Sequence, residues 1–252
     1  MKCALIHYDP LPAQVETNRS NIRRLIGLAA DQGARWVVTP ELCISGYYFA
    51  DVIGTDWIKP QPDDWVKRIV DLSSQRSLVI FLSHPERDAK TDKLYNTLFA
   101  ISDGKLVGKH RKIEVHPGAE EAWATPGDSL KAVLVDDVRI GMLICADTWE
   151  SHHGKTLADD AAQLLVVSVA WGHKYPPMDH WKRLSSETGL PVWVCNRTGM
   201  ERGIDWSQAE SVVIVRGEPV FKYSGHAAIL LFEWDKTHME PEANSFEVIS
   251  ND

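Results

Sequence analysis

The stretch RIGMLICADTWE, residues 139–150, decides how the rest of the chain is read. From Gly141 to Cys145 it carries no charge and reads as a strand buried on both faces. Past Cys145 it turns polar, with Asp147 and Glu150 close behind. A strand with two apolar faces belongs to a sheet covered on both sides. A thiol at its end is either a small buried hydrophobe or a nucleophile held for chemistry.

Outward from this stretch, strand-like and helix-like segments alternate. CALIHY (3–8) predicts a strand, and Ile22, Leu25, Ile26 and Ala29 recur at helical spacing before a stop at Gly33. RWVV (35–38) follows as a strand, then a helix carrying Val66, Ile69 and Val70, then the strand SLVIFLS (77–83). TLFAIS (97–102), the turn Asp103-Gly104 and KLVGKHRK (105–112) form a predicted hairpin. Further strands are expected at 131–135, 139–145, 164–171, 191–196, 211–215 and 227–234, with turns at Asp136-Asp137 and Arg216-Gly217 and helices over 154–163 and 179–188. This pattern predicts two packed sheets with helices outside. We expect one domain over residues 1–252, with a polar, loosely ordered tail from about 235.

Composition narrows the function classes. A net charge of −8 without a basic run argues against nucleic-acid or anionic-membrane partners, both of which need clustered Lys and Arg. No run approaches the ~18 apolar residues of a membrane helix, and the opening MKCALIHYDP is too short for a signal-peptide core. The expectation is a cytoplasmic protein. Cys3, Cys43, Cys145 and Cys195 show no metal-ligand spacing and are expected as free thiols.

Two other polar residues stand at the ends of apolar runs. Glu41 follows the strand and proline of VVTPELCISGY (37–47), and Lys112 ends the hairpin strand in GKHRKIEVHP (108–117). Singly, each reads as a solvated loop residue. Together with Cys145 they make a chemical set: a thiol, a carboxylate to take its proton, and a cation to hold an oxyanion. The N–H of Ala146 is a candidate second oxyanion donor.

PELCISGY, the segment YNTLFAISDGKLVGKHRKIEVHP and RIGMLICADTWE resemble the glutamate, lysine and cysteine motifs of the nitrilase (carbon–nitrogen hydrolase) superfamily. MKCALIHYDP, VSVAWGHKYPPMDHW and PVWVCNRTG match further stretches in the same order. The resemblance implies an α+β fold, a four-layer α-β-β-α sandwich, with a Glu41-Lys112-Cys145 triad and no metal or cofactor. It also implies a second glutamate six residues ahead of Pro126-Gly127-Asp128, which is Glu120, with Glu121 as its rival. Family members assemble as homodimers or larger homo-oligomers through a helical layer. Asp147 is expected to orient the backbone after the nucleophile.

The resemblance further implies amide hydrolysis through a Cys145 thioester, on a small carboxamide or N-carbamoyl substrate. Cys145-Ala146-Asp147 fits the amidase branch, whereas nitrile-cleaving members resemble Cys-Trp-Glu. Trp149 departs from many small amidases and is similar to the glutamine-amidase domain of NAD synthetases, whose synthetase half has no counterpart in these residues. A nitrilase, an acyltransferase and an inactive binding protein on the same fold are the alternatives. Tyr47, Trp149 and Trp171 are candidate pocket residues, with Trp123 nearby. His152, His153, Lys155, His173 and Lys174 are either a solvated rim or a site for a substrate carboxylate, and Glu210 is either a pocket change or a surface one.

Overall fold

Strands that are apolar on both faces need cover on both faces, and the chain supplies it with two sheets and four long helices. The computed structural model describes residues 1–172, 174–242 and 245–250. The first half comprises β1 (Lys2–His7), α1 (Val15–Asp31), β2 (Trp36–Val38), α2 (Ala50–Ile53), α3 (Asp64–Arg76), β3 (Val79–Arg87), β4 (Leu94–Ser102) and β5 (Lys105–Arg111). The middle comprises β6 (Val133–Val135), β7 (Val138–Ile144), a 3₁₀ turn (Cys145–Thr148), α4 (Ser151–Asp159), β8 (Leu164–Val169), α5 (Met178–Thr188) and β9 (Val192–Asn196). The rest is β10 (Met200–Glu201), β11 (Ile204–Asp205), β12 (Ser211–Val215), β13 (Glu218–Tyr223), β14 (Ala228–Asp235), β15 (Glu240–Pro241) and β16 (Glu247–Ser250).

One sheet runs β15-β14-β1-β2-β3-β4-β5, with β16 also paired to β14; the other runs β13-β12-β9-β8-β7-β6. Each has a parallel centre, β1-β2-β3 and β7-β8-β9, flanked by antiparallel strands. Alternation along each strand sorts side chains between two cores. Cys3, Leu5, Trp36, Val38, Val79 and Phe81 face the second sheet, where Val166, Trp193 and Cys195 meet them. Ala4, Ile6, Val37, Ile80 and Leu82 face the other way, onto Ile22, Leu25 and Ile26 of α1 and Val66 and Ile69 of α3. Leu157 of α4 and Trp181 and Leu184 of α5 cover the outer face of the second sheet. The result is the four-layer α-β-β-α sandwich. At Gly154, a Cβ would come within 2.3 Å of Leu184 Cδ1, so α4 approaches α5 as closely as it does because no side chain intervenes.

The predicted turns are tight hairpins whose two central residues both have positive φ. They are Asp103 and Gly104 (49° and 70°), Asp136 and Asp137 (48° and 66°), and Arg216 and Gly217 (55° and 78°). Four expectations are corrected. β7 stops at Ile144 and β8 at Val169, one and two residues before the expected ends, because the chain turns there to build the site. The helix expected over 154–163 is Ser151–Asp159, ended by Ala161 at φ 61°. β13 escaped notice because Pro219 interrupts its pattern, but it is an edge strand, where a missing N–H costs little. The tail is not loose throughout: β15 and β16 both pair with β14. Among the described residues, no helix is long and apolar enough to cross a membrane.

Candidate active site

The parallel centres of the two sheets end at one place. Glu41 follows β2, Cys145 follows β7 and Ala170 follows β8, so carboxylate, thiol and backbone amide meet beyond the carboxyl ends of parallel strands. Lys112 follows β5, and its N–H donates to Asn96 O (2.8 Å), which fixes its entry into the site.

Lys112 lies buried between two carboxylates. Its Nζ donates to Glu41 Oε1 (2.7 Å) and to Glu120 Oε2. Asn96 Nδ2 bridges the same pair, donating to Glu41 Oε1 (2.8 Å) and Glu120 Oε1 (2.6 Å). Ala170 N–H donates to Glu41 Oε2 (2.8 Å). Tyr47 O–H (3.0 Å) and His116 N–H (3.2 Å) donate to Glu120 Oε2. Of the two neighbouring glutamates, Glu120 is turned inward and Glu121 is exposed.

Cys145 opens the 3₁₀ turn with φ at 45°, a conformation costly for a residue with a side chain. Asp147 holds that turn. Its Oδ2 accepts from Ile144 N–H (2.9 Å) and is 2.7 Å from His110 Nε2, while its Oδ1 accepts from Ile113 N–H (2.9 Å) and Glu114 N–H (2.8 Å). One carboxylate thereby ties the cysteine turn to the segment after Lys112. As the second residue of a helical turn, Ala146 has an N–H without an intrahelical acceptor.

Burial and charge set the protonation states. Burial pushes the Glu41 carboxyl up to about 7, with Lys112 opposing and Glu120 reinforcing the rise. Burial disfavours the Lys112 ammonium, but Glu120 and Glu41 outweigh it and hold its pKa well above the ordinary lysine value. Burial raises the Cys145 thiol far above its usual range, and the Glu41 charge adds to this while Lys112 opposes it. The resting thiol is therefore protonated beside a carboxylate poised near neutrality. Burial would also raise Asp147, but the His110 hydrogen bond and charge and the two backbone donors keep it below the ordinary carboxylate range.

Above Cys145 opens a cavity of about 560 Å³, walled by Tyr47, Tyr48, His116, Trp149, Trp171, Lys174, Tyr175, His180, Ile204 and Trp206. Tyr47, Trp149 and Trp171 thus all line it. Trp123 does not; its ring packs 4.9 Å from Phe49. Of the predicted cations among the described residues, only Lys174 reaches the cavity. His153 Nδ1 is bonded to Asp147 O (2.9 Å), Lys155 pairs with Glu187 (2.7 Å), and the His152 ring lies tilted against His153 at 4.1 Å. His173 lies outside the described residues. Glu210 pairs with Lys222 (2.9 Å) away from the cavity. Cys3, Cys43 and Cys195 are buried in the cores. Among the described residues no cluster of His, Cys, Asp and Glu is arranged to hold a metal ion.

Sequence reasoning passed over Asn96, Glu201, Arg197 and Trp206. Glu201 accepts from Tyr47 N–H (2.9 Å) and Tyr48 N–H (2.8 Å) and pairs with Arg197, whose guanidinium lies 4.3 Å from the Trp206 ring centroid. For Asn96 there was a signal, an amide inside an otherwise apolar strand. The β10–β11 hairpin gave none, because two-residue strands carry no periodicity.

Comparison with known proteins shows the family and the fold. The family model described as carbon-nitrogen hydrolase matches residues 2–229. The chain is 28% identical over 205 residues to an N-carbamoylputrescine amidase of Solanum lycopersicum, covering 74% of this chain and 67% of the relative. It is 26% identical over 207 residues to a nitrilase of Pyrococcus abyssi, covering 81% and 78%. The fold matches Saccharomyces cerevisiae Nit3, a member of branch 10 of the nitrilase superfamily, with a TM-score of 0.81 at 22% identity over 92% of this chain and 88% of that one. The family match from residue 2 to residue 229 places the chain in the nitrilase superfamily: it belongs to the carbon–nitrogen hydrolase family of enzymes.

Proposed function

We propose that the protein is a thiol-dependent amidohydrolase that cleaves the C–N bond of a small carboxamide or N-carbamoyl compound through a thioester on Cys145. One juxtaposition carries this reading: a thiol at the floor of an aromatic cavity, beside a buried carboxylate whose pKa stands at about 7. Glu41 takes the thiol proton as the sulfur attacks the amide carbon. Because burial makes a free thiolate costly here, proton transfer and C–S bond formation belong to one step. The charge that builds on the carbonyl oxygen meets the Lys112 ammonium and the Ala146 N–H. Glu41 then gives its proton to the leaving nitrogen, and the C–N bond breaks to release ammonia or an amine. Water, deprotonated by Glu41, adds to the thioester. Collapse of that adduct breaks the C–S bond, frees the acid and restores the thiol. Glu120 keeps Lys112 charged and aimed throughout.

A second reading is a nitrilase, since one relative carries that name. Ala146-Asp147 after the cysteine favours the amide. The negative charge of the chain supports a small-molecule substrate in place of nucleic acid or a membrane partner. We further infer a cytoplasmic homodimer or larger homo-oligomer, on the likeness to the family alone.

Intact-protein mass spectrometry tests the chemistry, with amides, N-carbamoyl amino acids and nitriles offered in parallel and Cys145→Ala as control. An acyl adduct on the wild type, absent from the variant and accompanied by ammonia, is the expected result. Ammonia from nitriles alone would establish the second reading. Absence of both adduct and ammonia across the panel would sink both.

A further inference from the structure

The stretch NRTGME, residues 196–201, takes no part in the chemistry above, yet it reaches the floor of the cavity by two routes. The first starts at Asn196, buried at the end of β9. Its Oδ1 accepts from Trp171 N–H (3.1 Å) and its Nδ2 donates to Trp171 O (3.0 Å), so one side-chain amide holds both backbone groups of that residue. Trp171 directly follows Ala170, whose N–H donates to Glu41 Oε2 (2.8 Å). The second route starts at Glu201, which is 2% exposed. Its Oε2 accepts from Tyr47 N–H (2.9 Å) and its Oε1 from Tyr48 N–H (2.8 Å). Gly46, at φ 79°, lets the carboxylate in: a Cβ there would sit 2.9 Å from Glu201 Oε1. The fully buried Arg197 pairs with Glu201 and balances its charge. Tyr47, held at its backbone in this way, donates its O–H to Glu120 Oε2 (3.0 Å), the partner of Lys112. Neither Asn196 nor Glu201 lines the cavity.

We propose that Asn196 and Glu201 are positioning residues for the two carboxylates that flank Lys112. Asn196 aims the Ala170 N–H at Glu41, and Glu201, balanced by Arg197, aims the Tyr47 hydroxyl at Glu120. One short segment after the second sheet thereby sets both sides of the Lys112 ammonium. The kinetic consequence rests on the hydrolase reading. Iodoacetamide labelling of Cys145 reads the same geometry without turnover.

A double-mutant cycle tests the Glu201 route. Glu201→Gln alone is expected to lower kcat about five-fold. In the Tyr47→Phe background, where the hydroxyl is already gone, it should lower kcat less than about two-fold. Adding Arg197→Met removes the cation that Glu201→Gln leaves buried alone, so the cycle stays readable if the single variant folds poorly. The Asn196 route is tested by Asn196→Ala. Loosening the Ala170 N–H removes a hydrogen bond that favours ionised Glu41, so the acid limb of the pH–rate profile should rise by about half a pH unit or more. The labelling rate of Cys145 should show the same cycle and the same shift. Equal losses from Glu201→Gln in both backgrounds, or an acid limb in Asn196→Ala unmoved from the wild type, overturns the proposal. Activity and labelling that fall only in proportion to folded protein also overturn it, since the segment would then serve folding alone. The expected labelling pattern with no ammonia from the wild type would leave the positioning roles standing and overturn the hydrolase reading.

Discussion

The floor of the cavity and its wall are built by different rules. On the floor, Glu41 accepts from Lys112, Asn96 and the Ala170 amide, and Glu120 from Lys112, Asn96, Tyr47 and the His116 amide. Every partner is a charge or a buried dipole, so removing one leaves another without compensation. On the wall, Trp149 and Trp171 meet edge to face at 5.8 Å, Trp171 and His180 lie tilted to each other at 5.6 Å, and Trp206 leaves its N–H unpaired. Ring contacts tolerate exchange far better than a shared buried proton does. A fold built this way keeps one chemistry while its substrate changes by substitution in the wall.

The sharpest way to break this contrast is Lys112→Met. The substitution keeps much of the apolar stem and leaves two buried carboxylates facing each other without a cation. It should cost about 3–5 kcal/mol in urea unfolding and about 10³-fold in ammonia release. A variant as stable as the wild type would mean that the floor is less interdependent than its geometry implies. Asp147→Asn comes next. The amide offers one acceptor where the carboxylate serves three backbone donors and His110, so at least one donor is left facing an N–H₂. A loss of about 2–4 kcal/mol in stability is expected, together with slower iodoacetamide labelling of Cys145 relative to other thiols. Labelling unchanged beside a large loss of stability would confine Asp147 to folding.

The same contrast explains what the sequence disclosed. Both cores were legible because alternating positions in the centres of β1, β2 and β3 are apolar on both faces, so apolar runs map directly onto doubly covered sheets. Glu41 and Cys145 stood out because each follows such a run within a few residues, and Lys112 because it ends a hairpin strand beside Ile113. Glu120 took a family likeness to find, since in isolation it sits in a polar stretch beside Glu121. The wall was only half legible. Trp149 and Trp171 lie close to strand ends, but Trp206 reaches the cavity, and Glu201 holds Tyr47 and Tyr48, through a hairpin too short to show a period. Long-range pairing, such as Tyr47 N–H to Glu201 across 154 residues, leaves no local trace.

Titration sharpens the comparison from the side of the floor. A base must be ionised to act, so activity should rise with pH through about 7, the value to which burial brings Glu41. Below it the rate should fall about ten-fold per pH unit. Folding responds with the opposite sign at this residue: the native state binds the Glu41 proton more tightly than the unfolded chain, so ionising it costs stability as pH rises from 4.5 toward about 7. His7 and His84 act the other way. Burial lowers each to about 4, so the native state binds fewer protons than the unfolded chain below about pH 6.5, and their contribution is lost on acidification. A pH–rate profile with its acid limb near 4.5 would remove Glu41 as the base.

Tyr47 belongs to both regions, which makes it the finest probe of where one ends. Its ring lines the cavity, its O–H donates to Glu120, and its backbone is held by Glu201. Tyr47→Phe keeps the wall and removes one of four donors to Glu120, whose other three remain. If the floor tolerates a single neutral loss, the change costs about 1 kcal/mol, a roughly five-fold drop in kcat with KM unmoved. A rise in KM alone would assign the hydroxyl to the wall. A loss near that of Lys112→Met would extend the interdependence of the floor out to the cavity surface, because a neutral donor would then matter as much as the buried cation.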